Sequence, residues 1–169
     1  MSEELEYQEE QKRPAFLTVL VVLSFISIGI SLISGIFGLI SGKQSDEVML
    51  DQSVQMAEAR SELRKAGLES WTGIYDQIEA MGQQANDSFY LAAFLGMIVS
   101  LIGFYGVFMM MKGKKIGFHV YIIYSLLSMG IIYVYISPAN VPTILTIVSA
   151  IFSGLFIFLY SRNLHWMNK

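Results

Sequence analysis

Residues 15–41 read AFLTVLVVLSFISIGISLISGIFGLIS, an unbroken run of 27 with no Asp, Glu, Lys or Arg. As a helix rising 1.5 Å per residue this run is about 40 Å long, more than the roughly 30 Å of hydrocarbon in a bilayer. It therefore predicts a membrane span that tilts or projects past the headgroups. Three more uncharged apolar stretches follow, at 88–111, 116–136 and 141–161. The last two are rich in Ile, Val, Tyr and Phe, a strand-like composition. An isolated strand cannot satisfy its backbone in lipid, so helix is expected there too.

Composition agrees. The 169 residues are 54% hydrophobic and only 15% charged, where soluble domains run nearer a quarter charged. The net charge of −3 argues against a nucleic-acid partner. Without cysteine there is no disulfide, thiolate metal site or Cys nucleophile, and His119 and His165 are too few for a multi-histidine metal centre. The expected fold is an all-α membrane protein: a four-transmembrane-helix bundle with a helical hairpin in the large loop between spans one and two.

The first span is not expected to be a cleaved signal. Five acids (Glu3, Glu4, Glu6, Glu9, Glu10) precede it against two bases, the run is too long, and no A-x-A site follows. Pro14 suits a helix start. Orientation follows from the bases. Lys12 and Arg13 precede span one; Lys112, Lys114 and Lys115 fill the 112–115 turn; Arg162 and Lys169 follow span four; the 137–140 turn carries no charge. With four crossings, these clusters fall on one side. Both tails (1–14 and 162–169) and the basic turn are therefore expected in the cytoplasm, with 42–87 outside. The three lysines read as topology determinants that also attract anionic headgroups.

Loop 42–87 holds nine acids against four bases and no proline. Ser45-Asp46-Glu47 reads as a helix start and Arg64-Lys65-Ala66-Gly67 as a stop. Leu68, Trp71, Ile74 or Tyr75, Ile78 and Met81 recur at three and four, predicting a second helix over 68–81 that Gly82 or Asn86-Asp87-Ser88 ends. The plainer expectation is that its apolar face packs on the hairpin or the membrane. The sharper one is a partner-binding face of Trp71, Tyr75 and Ile78. Asn86-Asp87-Ser88 fits the glycosylation pattern but reads as a helix cap.

Helices in lipid approach through small residues. Span one places Ser24, Ser27, Ser31, Ser34, Gly38 and Ser41 at steps of three and four, widened by Gly35. Span two repeats the spacing with Ala93, Gly96, Ser100 and Gly103; span four has Thr143, Thr146, Ala150 and Ser153. These are the expected helix-packing residues, within one bundle or, through span one, in a homo-oligomer or with a membrane-protein partner. A serine-lined pore is the minor alternative, since no ring of charge accompanies the serines.

His119 is the only ionisable acid or base inside the spans, and it lies near the basic boundary, as a headgroup-level residue would. A proton-coupled carrier requires a buried titratable group, so none is expected. No phosphate loop, zinc motif or nucleophile elbow occurs, and no cofactor or catalytic residue is expected. Tyr121, Tyr124, Tyr133 and Tyr135 read as membrane-belt aromatics, or else as the wall of a ligand cavity.

The opening Arg13-Pro14-Ala15-Phe16-Leu17-Thr18-Val19-Leu20 and the entry to span three, Lys114-Lys115-Ile116-Gly117-Phe118 with Tyr121, resemble an uncharacterised family of small four-span membrane proteins of Bacteroidota. The likeness covers most of the chain in layout. It implies a bacterial inner membrane and no known activity. Tetraspanins and claudins share the layout, but their loop cysteines are absent here. The function expected from these features is non-enzymatic: a scaffold or accessory subunit presenting an acidic helical loop. The alternative is a carrier or binder of a lipid or other apolar ligand between the spans. A tightly filled bundle would favour the first, a continuous apolar cavity of several hundred cubic ångströms opening to one leaflet or to the outside the second.

Overall fold

A computed structural model describes residues 13–167. The acidic tail, Lys12 and Lys169 lie outside the described residues. Helix α1 (Ala15–Ser41) begins directly after Pro14, whose carbonyl accepts the first helical hydrogen bond from Thr18 N–H at 3.1 Å. The hairpin consists of α2 (Asp46–Lys65) and α3 (Thr72–Asp87). Next come α4 (Phe89–Met111), α5 (Lys115–Gly130), the short α6 (Ile132–Tyr135) and α7 (Thr143–Ser161). No strand occurs among the described residues. Four helices, counting α5 and α6 as one span, are long and apolar enough to cross a membrane.

The third span is interrupted once. Gly130 ends α5 and α6 resumes one residue later, with Ile131 still helical at φ −63°, ψ −30°. The chain then turns extended at Ile136, and the 137–140 turn coils into a single 3₁₀ turn, Pro138–Asn140.

Around the bundle, α1 packs on α4, α4 on α5 and α5 on α7, while α7 returns only lightly to α1. The closest approach is between α4 and α5. Two glycines without side chains, Gly106 and Gly117, let their backbones meet. Burial concentrates at the end carrying the basic turn. Leu17, Leu20, Val21 and Ile28 of α1 meet Val107 and Met110 of α4, Phe118 and Tyr121 of α5, and Tyr160 of α7. Beyond Ile28 no residue of α1 is buried.

The basic end is also latched by polar contacts. Arg13 donates from Nη2 to the Met111 carbonyl at 2.9 Å and stacks 5.9 Å over Trp166. Trp166 in turn lies against Gly113, where φ of +75° favours glycine and an added Cβ would lie 3.3 Å from the indole. Met167 is fully buried in the same core.

The hairpin forms for local reasons. Ser45 accepts from Val48 N–H through its hydroxyl, acids occupy the first turn of α2 and bases its last turn. Gly67 at φ +74° then reverses the chain, with Leu68 N–H returning to the Leu63 carbonyl at 2.9 Å. Arg60 of α2 bridges Asp76 and Glu79 of α3, 2.9 Å from the latter. The hydrogen bond to Asp76 holds the guanidinium pKa above its ordinary value.

One expectation for this region needs correction. Gly82 does not stop the second helix, which runs on to Asp87. An interior glycine costs only about 1 kcal/mol relative to alanine, and contacts on the last turns outweigh it. Asn86-Asp87-Ser88 does end the helix, with Ser88 as the C-cap, and Asn86 has a further role. Its side chain accepts from Gln44 N–H at 2.8 Å and donates to the Gln44 carbonyl at 3.1 Å, closing the base of the hairpin. Gln84 accepts from Ser137 N–H at 2.8 Å and Gln77 donates to the Ala139 carbonyl at 3.0 Å. So two side-chain amides fasten α3 to the 137–140 turn and a third, Asn86, ties it to Gln44.

Candidate functional site

Because the helices close at the basic end and part toward the hairpin end, the middle of the bundle is not filled. One chamber of about 280 Å³ lies between α1, α5 and α7. Its polar wall is Ser24 and Ser27 of α1, Tyr121, Tyr124, Ser125 and Ser128 of α5, and Ser153 of α7; its apolar wall is Leu23, Phe152 and Phe156. A second chamber of about 290 Å³ lies on the other side of α1, against α4. Ser31, Gly35, Ala93, Gly96 and Ser100 line it, and it shares Tyr124 and Ser128 with the first. A smaller one of about 90 Å³ includes Ser128, Thr146 and Ser149. Ser128 thus lines all three.

Helical spacing brings these hydroxyls together. Tyr121, Ser125 and Ser128 lie four and three residues apart, so they share one face of α5. Tyr124 is held over α4 by Gly103. A Cβ there would sit 2.7 Å from the ring, so any side chain would push Tyr124 out of the chamber wall. Tyr160 lies below, fully buried, its hydroxyl 2.8 Å from Ser24 Oγ and its ring 4.8 Å from that of Tyr121.

No charged residue lines any of the three chambers. The polarity is hydroxyl alone. Burying a hydroxyl in hydrocarbon without a partner costs roughly 2–7 kcal/mol, so each one needs a hydrogen bond. Ser24 has Tyr160. Ser31 donates to the Ser27 carbonyl at 3.1 Å and Ser128 to the Ser125 carbonyl at 2.9 Å, the back-bond that helical serines use. The Ser27, Ser100, Ser125 and Ser153 hydroxyls make no such bond among the described residues, and Ser125, 3% exposed and facing the first chamber, is the most buried of them.

The small residues singled out by spacing separate into three groups. Ser24, Ser100 and Gly103 are buried between helices, the two serines also lining the chambers; Ser27, Ser31, Gly35, Ala93, Gly96 and Ser153 line the chambers without being buried. Gly38 meets the Phe89 ring at 3.4 Å, whereas Ser34 and Ala150 are exposed. Gly106 and Gly117, at the tightest crossing, were not among the residues singled out, although Gly106 lies three residues past Gly103. Nor were Ser125 and Ser128, although the Tyr121–Ser125–Ser128 spacing was a readable signal. Tyr121 and Tyr124 are interior wall residues and not a belt. Tyr133 pairs with Thr146 at 2.8 Å between hydroxyl oxygens on the exposed side.

Other sequence candidates lie elsewhere. His119 is exposed, with Nδ1 3.1 Å from the Lys115 carbonyl at the basic end, away from the chambers. Lys112 lies over the Phe108 ring at 4.4 Å, and Lys112, Lys114 and Lys115 are all exposed. In the hairpin, Ile78 turns inward to a crevice of about 190 Å³ against Met49 and Met56 of α2. Tyr75 is half-buried and Trp71 is exposed. Among the described residues no group of His, Asp or Glu is placed to hold a metal ion.

The fold and this site define a class: an all-α membrane bundle with a hydroxyl-lined cleft inside its spans. No protein-family model matches the chain, and the searches of curated proteins and of solved structures returned no match.

Proposed function

We propose that this protein binds an amphipathic molecule from the bilayer in the cleft between α1, α5 and α7, without covalent chemistry. The observation that carries the reading is the pair of chambers of about 280 and 290 Å³ that share Tyr124 and Ser128. Each is close to the lower bound of small-ligand sites, roughly 300–1,000 Å³. Hydroxyls at the middle of a span are costly unless something polar meets them. The protein stripped of lipid should therefore melt lower than the protein resupplied with native membrane lipid. At a hundredfold excess over Kd, binding stabilises by about 2.7 kcal/mol, which for a chain of this size is roughly 5–10 °C. An unchanged melting temperature across all lipid fractions would rule the reading out.

A second reading, a scaffold or accessory subunit, draws on the hairpin. Gln77, Gln84 and Asn86 fasten α3, which leaves Val48, Leu50 and Val54 of α2 exposed among acids. That arrangement suits rigid presentation to a membrane-protein partner. Lipid resupply would then leave melting unchanged.

Both readings take the protein as a bacterial inner-membrane protein with its termini and basic turn in the cytoplasm. The chain has no cysteine, so single cysteines report cleanly. In intact cells a membrane-impermeant thiol reagent should label Ser61→Cys and spare Lys114→Cys. The reverse pattern would invert the orientation.

A further inference from the structure

Resting on the cleft reading, we propose that the occupant is an amphiphile with an uncharged hydrogen-bonding head, a hydroxyl or amide, whose apolar chain leaves the bundle between α1 and α7.

The head is fixed by what faces it. Ser27, Ser125 and Ser153 present hydroxyls from three different helices to one chamber, with Tyr121 and Tyr124 beside them. A hydroxyl both donates and accepts, so this wall suits a head that does the same. Ser125 supplies an independent mark: a polar side chain 3% exposed, open to the chamber, with no partner of its own. Of the other serines on this chamber, Ser24 and Ser128 are engaged through Tyr160 and the Ser125 carbonyl, while Ser27 and Ser153 are less buried. Ser125 is therefore the most deeply buried unengaged donor that a ligand head would meet.

The charge of the head is fixed by what is missing. Phosphate and carboxylate heads are held by Arg or Lys, often in bidentate pairs. None lines the chambers. The bases Arg13, Lys112, Lys114 and Lys115 belong to the basic end, and those of the hairpin lie beyond the spans. An ionic head drawn to mid-span would lose its hydration with no counter-charge in reach.

The exit is fixed by exposure. Leu23 of α1 and Phe152 of α7 form the rim, 48% and 59% exposed, in the gap where these two helices barely touch. A chamber of about 280 Å³ suits a head and not a pair of acyl chains. The chains would stay in the bilayer.

The test uses the full-length protein in phosphatidylcholine vesicles. One sample contains a diacylglycerol carrying a diazirine near the glycerol end of one chain; the other contains the phosphatidate with the same chains and diazirine. After photolysis, the diacylglycerol should label peptides spanning Leu23–Ser27, Tyr121–Ser128 or Phe152–Phe156 at least about tenfold more than the phosphatidate. Ser125→Ala should lower that labelling by about fivefold, as the loss of one hydrogen bond would, with unchanged melting in detergent. Equal labelling of the cleft by both probes would overturn the uncharged head and leave the cleft reading standing. Labelling of neither in the cleft would overturn both. Full labelling of Ser125→Ala would remove the role given to that hydroxyl.

Discussion

Replacing Gly117 by alanine should cost this protein more stability than a methyl group at any other glycine of the bundle. A Cβ on Gly117 would lie 2.4 Å from the Met110 nitrogen and 2.6 Å from the Gly106 carbonyl oxygen. Both are backbone atoms of α4, so no side chain can rotate away. The two helices would have to separate, and with them the contacts of Val107, Met110, Phe118 and Tyr121 in the core. Overpacking costs about 1–3 kcal/mol even where side chains can adjust. Here the upper figure is the expectation, which for a chain of this size lowers Tm by roughly 6–12 °C. Gly106→Ala should follow in the same direction by less, since its nearest neighbour, the Tyr121 nitrogen, is at 3.0 Å. Gly96→Ala is the control. Nothing lies within 4 Å of its added Cβ, and alanine is the better helix former. Melting in one detergent by circular dichroism or dye binding ranks the three. Equal Tm for Gly117→Ala and Gly96→Ala would contradict the packing described.

That ranking also shows how far the sequence could be read. The bundle was legible because lipid imposes it. Four uncharged runs of sufficient length leave helix as the only way to satisfy their backbones. The hairpin was legible from Ser45, from Arg64-Lys65-Ala66-Gly67 and from the apolar period between them and Met81. Which small residue meets which neighbour was not legible. Spacing along one helix says which of its faces is thin, but a close approach depends on the crossing with a second helix. Gly106 and Gly117 form such an approach from two different spans; Gly106 lies three residues past Gly103 and extends the span-two spacing, but Gly117 belongs to no spaced series. The fastening of α3 was hidden for the same reason. Gln77, Gln84 and Asn86 reach backbone atoms of Ala139, Ser137 and Gln44, up to 62 residues away. The cleft lies between these cases. The serines of span one were visible as a polar face, yet their outcome depended on α7 standing off from α1. With α7 close Ser27 would have been a packing residue; with it parted, Ser27 becomes chamber wall, while Ser31 lines the second chamber between α1, α4 and α5.

The second large effect is expected at Ser128. This residue lines all three chambers, and its class of environment is open enough to admit a larger side chain without touching the core at the basic end. Ser128→Phe would place a ring at the junction where the chambers meet. It would also take away the hydroxyl that now bonds the Ser125 carbonyl. Folding should survive, because the close packing of Gly106, Gly117 and Tyr160 lies toward the other end of the spans. Binding should not. Losing the contact area of an occupied cleft together with its polar wall is expected to weaken retention of an amphiphile by at least about a hundredfold, or roughly 2.7 kcal/mol.

The central claim is that the cleft holds a molecule from the membrane. The direct measurement is native mass spectrometry of the wild-type protein and Ser128→Phe, each released from native membranes in the same mild detergent. The wild type should carry one added mass in the range of a single amphiphile, removed only by activation in the gas phase. Ser128→Phe, melting at the temperature of the lipid-stripped wild type, should fly bare. A wild type without any adduct, or a variant that retains the same adduct to the same extent, would contradict the account.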